Sequence, residues 1–427
     1  MTSTLNKSYL STIVADQRKD ILQKKDIVQR SIFSRALNYQ GGAALVIKGI
    51  RRCGKSTLLK QLIIGKYSSS FLYFNFDDER IYGFSVEDFQ QLMETSAEFY
   101  GPTGNIFLDE IQNVNGWELF VNRLLREGDR VFLTGSSSNL LSKELGTHLT
   151  GRHVDIELYP FSFFEYLTSK GMEYDRKKAL TTTQKSEIVR EFKNYFLQGG
   201  MPEVVISGSD LSILQLISDI IQRDITMRYG IRQPRELRLL LNFVLGAISS
   251  ELTFRSLSRN IQIKSEKTVG KYLEYLKEAY LIFDVYKYDA KLKHARRNPR
   301  KYYSIDNGLT LQNVPGFIEK KGAMLENLVA LNLRRLGKEF YYYKHQSGAE
   351  VDFLIPKDGV MIQVCYELNP ENRDREIKAL IRARRDIKAQ KFLILTMDQE
   401  ESIQADDFMV EVEPVWKWLL DADPLTE

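Results

Sequence analysis

Cysteine is nearly absent from this 427-residue chain, which holds only Cys53 and Cys365. Two thiols cannot build a disulfide framework, so the sequence points to a reducing, cytoplasmic setting. Net charge is almost absent too: 60 Lys and Arg stand against 56 Asp and Glu, leaving +4. That surplus is too small to announce a nucleic-acid binder, and any basic surface has to be local. Long apolar runs are missing. The longest, near Leu239–Ile248, is interrupted by Asn242 and falls far short of the ~20 residues that span a bilayer, so no membrane partner is expected. The opening MTSTLNKSYL has no apolar core of the signal-peptide kind. Internal repeats and low-complexity tracts are lacking as well. What remains is ordinary globular composition, 43% apolar and 27% charged, which excludes wholesale disorder and collagen-like structure. The length suits two or three domains.

Residues 1–38 carry mixed charge with scattered Leu, Ile and Val and read as an N-terminal helical arm. From Ala43 short apolar runs alternate with helical stretches. The runs are Ala43–Lys48, Phe71–Phe76, Asn105–Asp109, Arg130–Thr134 and His153–Leu158; helices are expected at Lys55–Lys66, Val86–Tyr100, Gly116–Glu127 and Ser137–Leu145. This alternation predicts an α/β fold whose parallel sheet is covered on both faces. A polar stretch at 169–186 reads as a connection, helical periodicity dominates from Glu187 to about Ala279, and a β-rich passage fills Tyr280–Ser304. A second α/β pattern starts at Gly322. It reads as helix 322–336, strands near 340–345, 350–356 and 360–366, helix 371–387, strand 391–397 and a final helix near 413–421.

The strongest motif is Gly49-Ile-Arg-Arg-Cys-Gly54-Lys55-Ser56, which fits G-x-x-x-x-G-K-[ST] in full. The strand AALVIK leads in and the helix STLLKQLII leads out. Glycines let the backbone fold into a nest of N–H groups, and the helix N-terminus adds partial positive charge. The candidate nucleotide cradle is Gly49, Arg51, Arg52, Cys53, Gly54, Lys55, Ser56 and Thr57, with the Cys53 side chain itself incidental. Lys55 would reach the β and γ phosphates of ATP, and the Ser56 hydroxyl would ligate Mg²⁺.

A second element, Asn105-Ile-Phe-Leu-Asp109-Glu110, ends an apolar strand in two carboxylates. Asp109 would hold Mg²⁺ through water and Glu110 would act as general base. The spacing places this strand beside the phosphate-loop strand in the sheet. A third, Val131–Ser138, ends a strand in hydroxyls. Thr134 and Ser136 are candidates to sense the γ-phosphate or orient water, and the same hydroxyls would also serve as a helix N-cap. Arg152, in Leu149-Thr-Gly-Arg152, reads either as an arginine finger, in cis or across an oligomer interface, or as a salt-bridged surface arginine.

These motifs in this order resemble the ASCE division of P-loop NTPases, specifically AAA-type ATPases. PFSFFEYL at 160–167, LQGGMPEVV at 197–205, QRDITMRYGI at 222–231 and KYYSIDNGL at 301–309 sharpen the resemblance. Together they are similar to a bacterial and archaeal group of AAA-type ATP-binding proteins that carry a nuclease-like C-terminal domain of unknown function. The resemblance implies an ATPase core at 39–168, a helical subdomain at 169–245, a winged helix at 246–315 and the nuclease-like domain at 316–427. Gly200-Met201-Pro202 is also similar to the GxP element of STAND switch ATPases, which implies that Pro202 packs near adenine. A helix-terminating Gly-Gly followed by Pro explains the same residues.

Residues 251–286 have helix-turn-helix spacing. A short helix, Phe254–Arg259, precedes an N-cap at Ser265, and Val269, Tyr272, Leu273 and Leu276 form one buried face. The expected wing strands run to Tyr288 and over Arg300–Ile305. Between them Lys291, Lys293, Arg296, Arg297, Arg300 and Lys301 crowd eleven residues without an acid. Such a basic wing suits DNA phosphates, although winged helices in switch ATPases also serve purely intramolecular roles.

The C-terminal pattern resembles the PD-(D/E)xK nuclease superfamily. Glu326 on the leading helix and Asp352 in Ser347-Gly-Ala-Glu-Val-Asp352 match its acids, but the strand that should read (D/E)-x-K is Gln363-Val364-Cys365. Glutamine carries no charge and cysteine cannot replace an ammonium, so metal affinity and activation should both be badly reduced. Lys344 is a remote candidate for the missing lysine. Cys365 lacks an evident partner among only four histidines and reads as a core residue. The leading expectation is an ATP-binding, Mg²⁺-dependent ATP-hydrolysing switch with an inactive nuclease-like domain. The alternatives are an ATP-regulated DNA-binding, repair or defence factor and a non-hydrolysing scaffold. A nucleotide-dependent homo-oligomer and an unidentified protein client are the other partners the reading leaves open.

Overall fold

A computed structural model describes residues 7–23, 27–135, 151–208, 211–289 and 299–426. Two compact units divide the chain, Met1–Tyr159 and Pro160–Glu427. The expected helix Ser137–Leu145 and the basic residues Lys291, Lys293, Arg296 and Arg297 lie outside the described residues, as does Ser136.

All five expected strands form in the first unit. They are β1 (Ala44–Lys48), β2 (Leu72–Asn75), β3 (Asn105–Asp109), β4 (Arg130–Gly135) and β5 (His153–Glu157). Their sheet is parallel, in the order β2-β3-β4-β1-β5. The acid strand β3 is therefore not the neighbour of β1, as its spacing suggested, because β4 lies between them. Alternation of side chains sends Ala44, Val46, Ile106, Leu108, Val131 and Leu133 to one face. That face is covered by α4 (Phe89–Tyr100) and α5 (Trp117–Glu127), and α5 buries Trp117, Phe120, Val121 and Leu124 at helical spacing. The N-terminal stretch is not a detached arm: α1 (Lys7–Leu22) sinks Leu10, Ile13 and Val14 into the same core. On the opposite face Phe107 and Phe132 stack with centroids 4.3 Å apart, against Tyr67. α2 (Phe33–Leu37) precedes β1, and α3 (Lys55–Leu62) continues into a wider turn, Ile63–Tyr67.

In the second unit, the helices Phe163–Ser169, Thr182–Gln198, Pro202–Ser207, Leu211–Asp219 and Pro234–Gly246 come first. Two more, Phe254–Ile261 and Glu266–Glu278, precede a three-stranded antiparallel sheet of β6 (Glu251–Leu252), β7 (Ile282–Tyr286) and β8 (Arg300–Ser304), ordered β6-β8-β7. Ser265 caps the second of these helices through Thr268 N, and Val269, Leu273 and Leu276 are buried as their spacing predicts. A six-stranded mixed sheet follows. It comprises β9 (Tyr341–Lys344), β10 (Glu350–Ile355), β11 (Val360–Val364), β12 (Lys391–Thr396), β13 (Glu401–Ala405) and β14 (Phe408–Pro414). The hairpin β13–β14 is missing from the sequence reading, which began its last helix inside β14; the helix is Val415–Asp421. Half-exposed alternation hid these strands, since Ser402, Gln404, Met409 and Glu411 face solvent. Among the described residues no helix is long and apolar enough to cross a membrane.

The most distinctive sequence segments of this unit interlock. Gly200 donates its N–H to Asp306 Oδ2 at 2.6 Å and accepts from Phe161 N at 2.7 Å. The Asp306 carboxylate also accepts from Leu309 N at 3.2 Å, capping the helix Asn307–Asn313. Burial pushes its pKa up to about 6, against the pull of the N–H groups of Gly200, Leu309 and Gly308. There is no room for side chains here: a Cβ on Gly200 would lie 2.3 Å from Phe161 O, and one on Gly308 would lie 2.1 Å from Gln198 O.

Gly200→Ala therefore has to push backbone apart and should cost about 1–3 kcal/mol or more. Gly322→Ala, at a helical position with nothing within 4 Å of the added carbon, should be neutral or slightly stabilising. Thermal denaturation of the two variants checks the contrast; equal melting temperatures would contradict the tight junction.

Candidate nucleotide-binding site

The phosphate loop leaves the end of β1 and closes at the start of α3. Gly54 takes φ 98° and Arg52 takes φ 64°, so both lie in the left-handed region, and no side chain caps α3. Uncapped N–H groups at a helix start attract an anion. Gly49 is required by close approach: a Cβ there would meet Leu158 O at 2.1 Å and Cys53 Sγ at 2.9 Å. Cys53 is fully buried, and burial pushes its thiol pKa up. This makes it a packing residue rather than a reactive one.

Lys55 is only 5% exposed. Its Nζ donates to Gly49 O at 3.3 Å and Ile50 O at 3.2 Å, and lies 3.7 Å from Glu110. Asp109 is completely buried at the end of β3. It accepts from Tyr73 OH at 3.0 Å and from the Thr134 hydroxyl, and it shares a hydrogen bond with Ser56. Burial and the neighbouring Glu110 raise its pKa, while the Thr134, Ser56 and Tyr73 bonds oppose the rise.

Thr134, ending the intervening strand β4, also accepts from Glu110 N at 2.9 Å. Its hydroxyl is thus spent on positioning two acids, rather than directed at a phosphate. Glu110 itself sits at φ 52° and accepts from Gln112 Nε2, whose own Oε1 is buried without a partner. Ser56 and Thr57 are exposed on the first turn of α3. The donor set fits a magnesium nucleotide: a hydroxyl and a carboxylate joined by a hydrogen bond, a buried ammonium, and an uncapped helix start.

Sequence reasoning missed Arg30. Its guanidinium is 3% exposed and donates to Cys53 O at 2.7 Å and Tyr159 O at 2.5 Å, bracing the loop from beneath. No local motif marks it; only the loop's unsatisfied carbonyl would. Arg152 is not brought to the loop. It is exposed, and its carbonyl accepts from Ala44 N at 2.8 Å, at the start of β1. The loop leaves the other end of that strand, so Arg152 is remote from it within the same chain. Pro202 opens the helix Pro202–Ser207 in the second unit and is buried.

A separate cavity of about 1030 Å³ in the second unit gathers Glu326, Glu350, Asp352, Gln363, Cys365 and Glu376. Lys301, expected on a DNA-binding wing, is buried here instead. Strand alternation turns Lys301 and Tyr303 toward these acids, while Arg300 pairs with Asp284 at 2.8 Å and lies over the Tyr286 ring. Both described members of the basic set are thus engaged by acids of the protein itself. The period-two pattern of the strand was the signal for this. Lys344 binds Glu251 at 2.6 Å and Glu350 at 3.4 Å. Cys365 is buried, and burial together with Glu376 and Asp352 pushes its pKa up to about 12.

The family model described as an AAA domain matches residues 42–167. An uncharacterized protein of Methanocaldococcus jannaschii is 34% identical over 439 residues, with 98% of this chain and 97% of that protein covered. The chain belongs to the same family as that protein. An uncharacterized protein of Haemophilus influenzae is 33% identical over 395 residues, covering 88% of this chain and 94% of its own length. Two domains of unknown function complete the family's layout, DUF8612 at 189–314 and DUF4143 at 321–418. Solved structures that match include AMPPCP-bound DnaA from Aquifex aeolicus, at 14% identity over 58% of this chain and 86% of that one, with TM-score 0.22. A Thermotoga maritima RuvB mutant matches at 12% identity over 65% and 90%, with TM-score 0.27. Possession of an AAA domain implies nucleotide binding in general.

Thr134→Val keeps the shape but leaves Glu110 N and the Asp109 carboxylate each short of a partner, which should cost about 1–3 kcal/mol. Thr134→Ser should retain most of the stability. Chemical denaturation of both variants is the check, and a Val variant as stable as the wild type would remove the bridging role.

Proposed function

We propose that this protein is an ATP-binding and Mg²⁺-dependent ATP-hydrolysing molecular switch. The observation that carries the reading is the hydrogen-bonded chain Ser56–Asp109–Thr134–Glu110, closed by Lys55 at the end of the parallel sheet. In this reading the loop N–H groups and Lys55 bind the phosphates, and Ser56 and Asp109 hold the metal. Bound Mg²⁺ would supply Lewis-acid charge on the phosphate oxygens. Glu110, held in place by Gln112 and by its own N–H bond to Thr134, takes a proton from the attacking water. Arg152 contributes only from a neighbouring copy.

We read 39–168 as the ATPase core and 169–245 as a helical subdomain, in which Pro202 opens a helix. We read 246–315 as a winged helix with an intramolecular role, supported by its helix–helix–sheet order. Residues 316–427 are read as a nuclease-like domain without nuclease activity. The spent Gln363 amide supports this: its Oε1 accepts from Asp352 N, and its Nε2 donates to Glu350 O and Glu376.

Two variants test the switch. Lys55→Ala should lower ATP affinity by at least about tenfold, the loss of one charge-assisted contact. Glu110→Gln should bind ATP normally, with phosphate release slowed about 10²-fold or more. Equal turnover in wild type and Glu110→Gln would remove the base assignment. Tight retention of ATP without phosphate release by the wild type would replace the switch with a non-hydrolysing scaffold.

A further inference from the structure

The cavity in the second unit holds its own positive charge. Lys301 Nζ lies 2.7 Å from Glu350, 3.1 Å from Glu326 and 3.4 Å from Asp352. An ammonium has three donors, and three carboxylates surround this one. Its side chain is 2% exposed. Burial works against the charge, but Glu326, Tyr303, Asp352 and Glu350 outweigh it and hold the lysine well above its usual pKa. The acids are also tied from outside: Glu326 accepts from Tyr303 OH at 2.7 Å, and Asp352 accepts from Val364 N at 2.9 Å. The Gln363 carbonyl oxygen is held by Asp352 N at 2.8 Å, and its amide nitrogen donates to Glu376 at 2.7 Å.

We propose that the Lys301 ammonium is the resident cation of this cavity, standing between Glu326, Glu350 and Asp352 where a divalent metal would otherwise be held, and that it keeps the site metal-free. A divalent ion needs carboxylate oxygens drawn in to about 2.0–2.6 Å, and the ammonium already lies between the three acids. Among the described residues no group of three or more His, Cys, Asp or Glu is arranged to hold a metal. The donor set therefore does not fit the metal that the nuclease resemblance implies. The loss is more than a missing lysine on β11: a lysine from β8 has filled the site. This inference concerns the second unit alone, and its test reads metal binding rather than nucleotide turnover, so it stands or falls apart from the switch.

The experiment titrates Mn²⁺ into the nucleotide-free full chain and follows free Mn²⁺ by electron paramagnetic resonance. Wild type, Asp352→Asn, Lys301→Met and Lys301→Met/Asp352→Asn are compared. Lys301→Met should gain one Mn²⁺ site at least about tenfold tighter than anything in the wild type, should be raised in melting temperature by Mn²⁺, and should lose both effects when Asp352→Asn is added. A folded Lys301→Met that gains no Mn²⁺ would overturn the proposal. Should Lys301→Met fail to fold, wild type against Asp352→Asn decides: an Asp352-dependent Mn²⁺ site in the wild type overturns the proposal, and identical titrations uphold it.

Discussion

A charge taken out of water is tolerated only where partners replace the lost hydration. Asp109, Asp306 and Lys301 are each almost wholly buried, and each dictates the arrangement around it. Asp109 draws Thr134, Tyr73 and Ser56 from three separate elements to the end of the first sheet. Asp306 draws in the Gly200 N–H and caps a helix with Leu309. Lys301 gathers three acids from β10 and a helix. Removing one partner from such a buried set costs about 1–3 kcal/mol where the partner is neutral and about 3–5 kcal/mol where it is the opposite charge.

The same physics has opposite results in the two units. At the nucleotide end, strand order inserts β4 between β1 and β3, so one hydroxyl can reach both acids. Glu110 is held in a left-handed conformation that costs about 1–3 kcal/mol for a residue with a side chain, offset by its bond to Thr134 and its ties to Gln112 and Lys55. Ser56 and Thr57 stay exposed while Asp109 stays buried, so the acids are fixed and the hydroxyl side remains open. In the second unit's cavity Glu326, Glu350, Asp352 and Glu376 each already have a protein partner.

The first unit was largely legible in the sequence. Contiguous apolar runs marked all five strands, and the phosphate loop and its acids are local motifs whose chemistry demands their spacing. Strand order was not legible, because nothing local states that β4 enters between β1 and β3. Arg30 and Lys301 escaped for a related reason: each acts on residues far away in sequence. Lys301 was counted with a run of loop cations when its position on a strand decided its fate, since alternate residues of β8 face different surroundings. The hairpin β13–β14 escaped because its exposed positions diluted the apolar pattern. Gly200 and Asp306 could be marked only as distinctive segments; that they touch is tertiary information.

One feature of the loop reaches past nucleotide chemistry. Gly49 lacks a side chain where Leu158 O approaches, and Arg30 grips Cys53 O with one nitrogen and Tyr159 O with the other. Leu158 and Tyr159 are the last residues before the chain passes into the second unit. The strand that exits the first unit is thus clamped to the underside of the loop. Displacing the Cys53 carbonyl would therefore strain the Arg30 bridge to the segment through which the chain leaves the first unit.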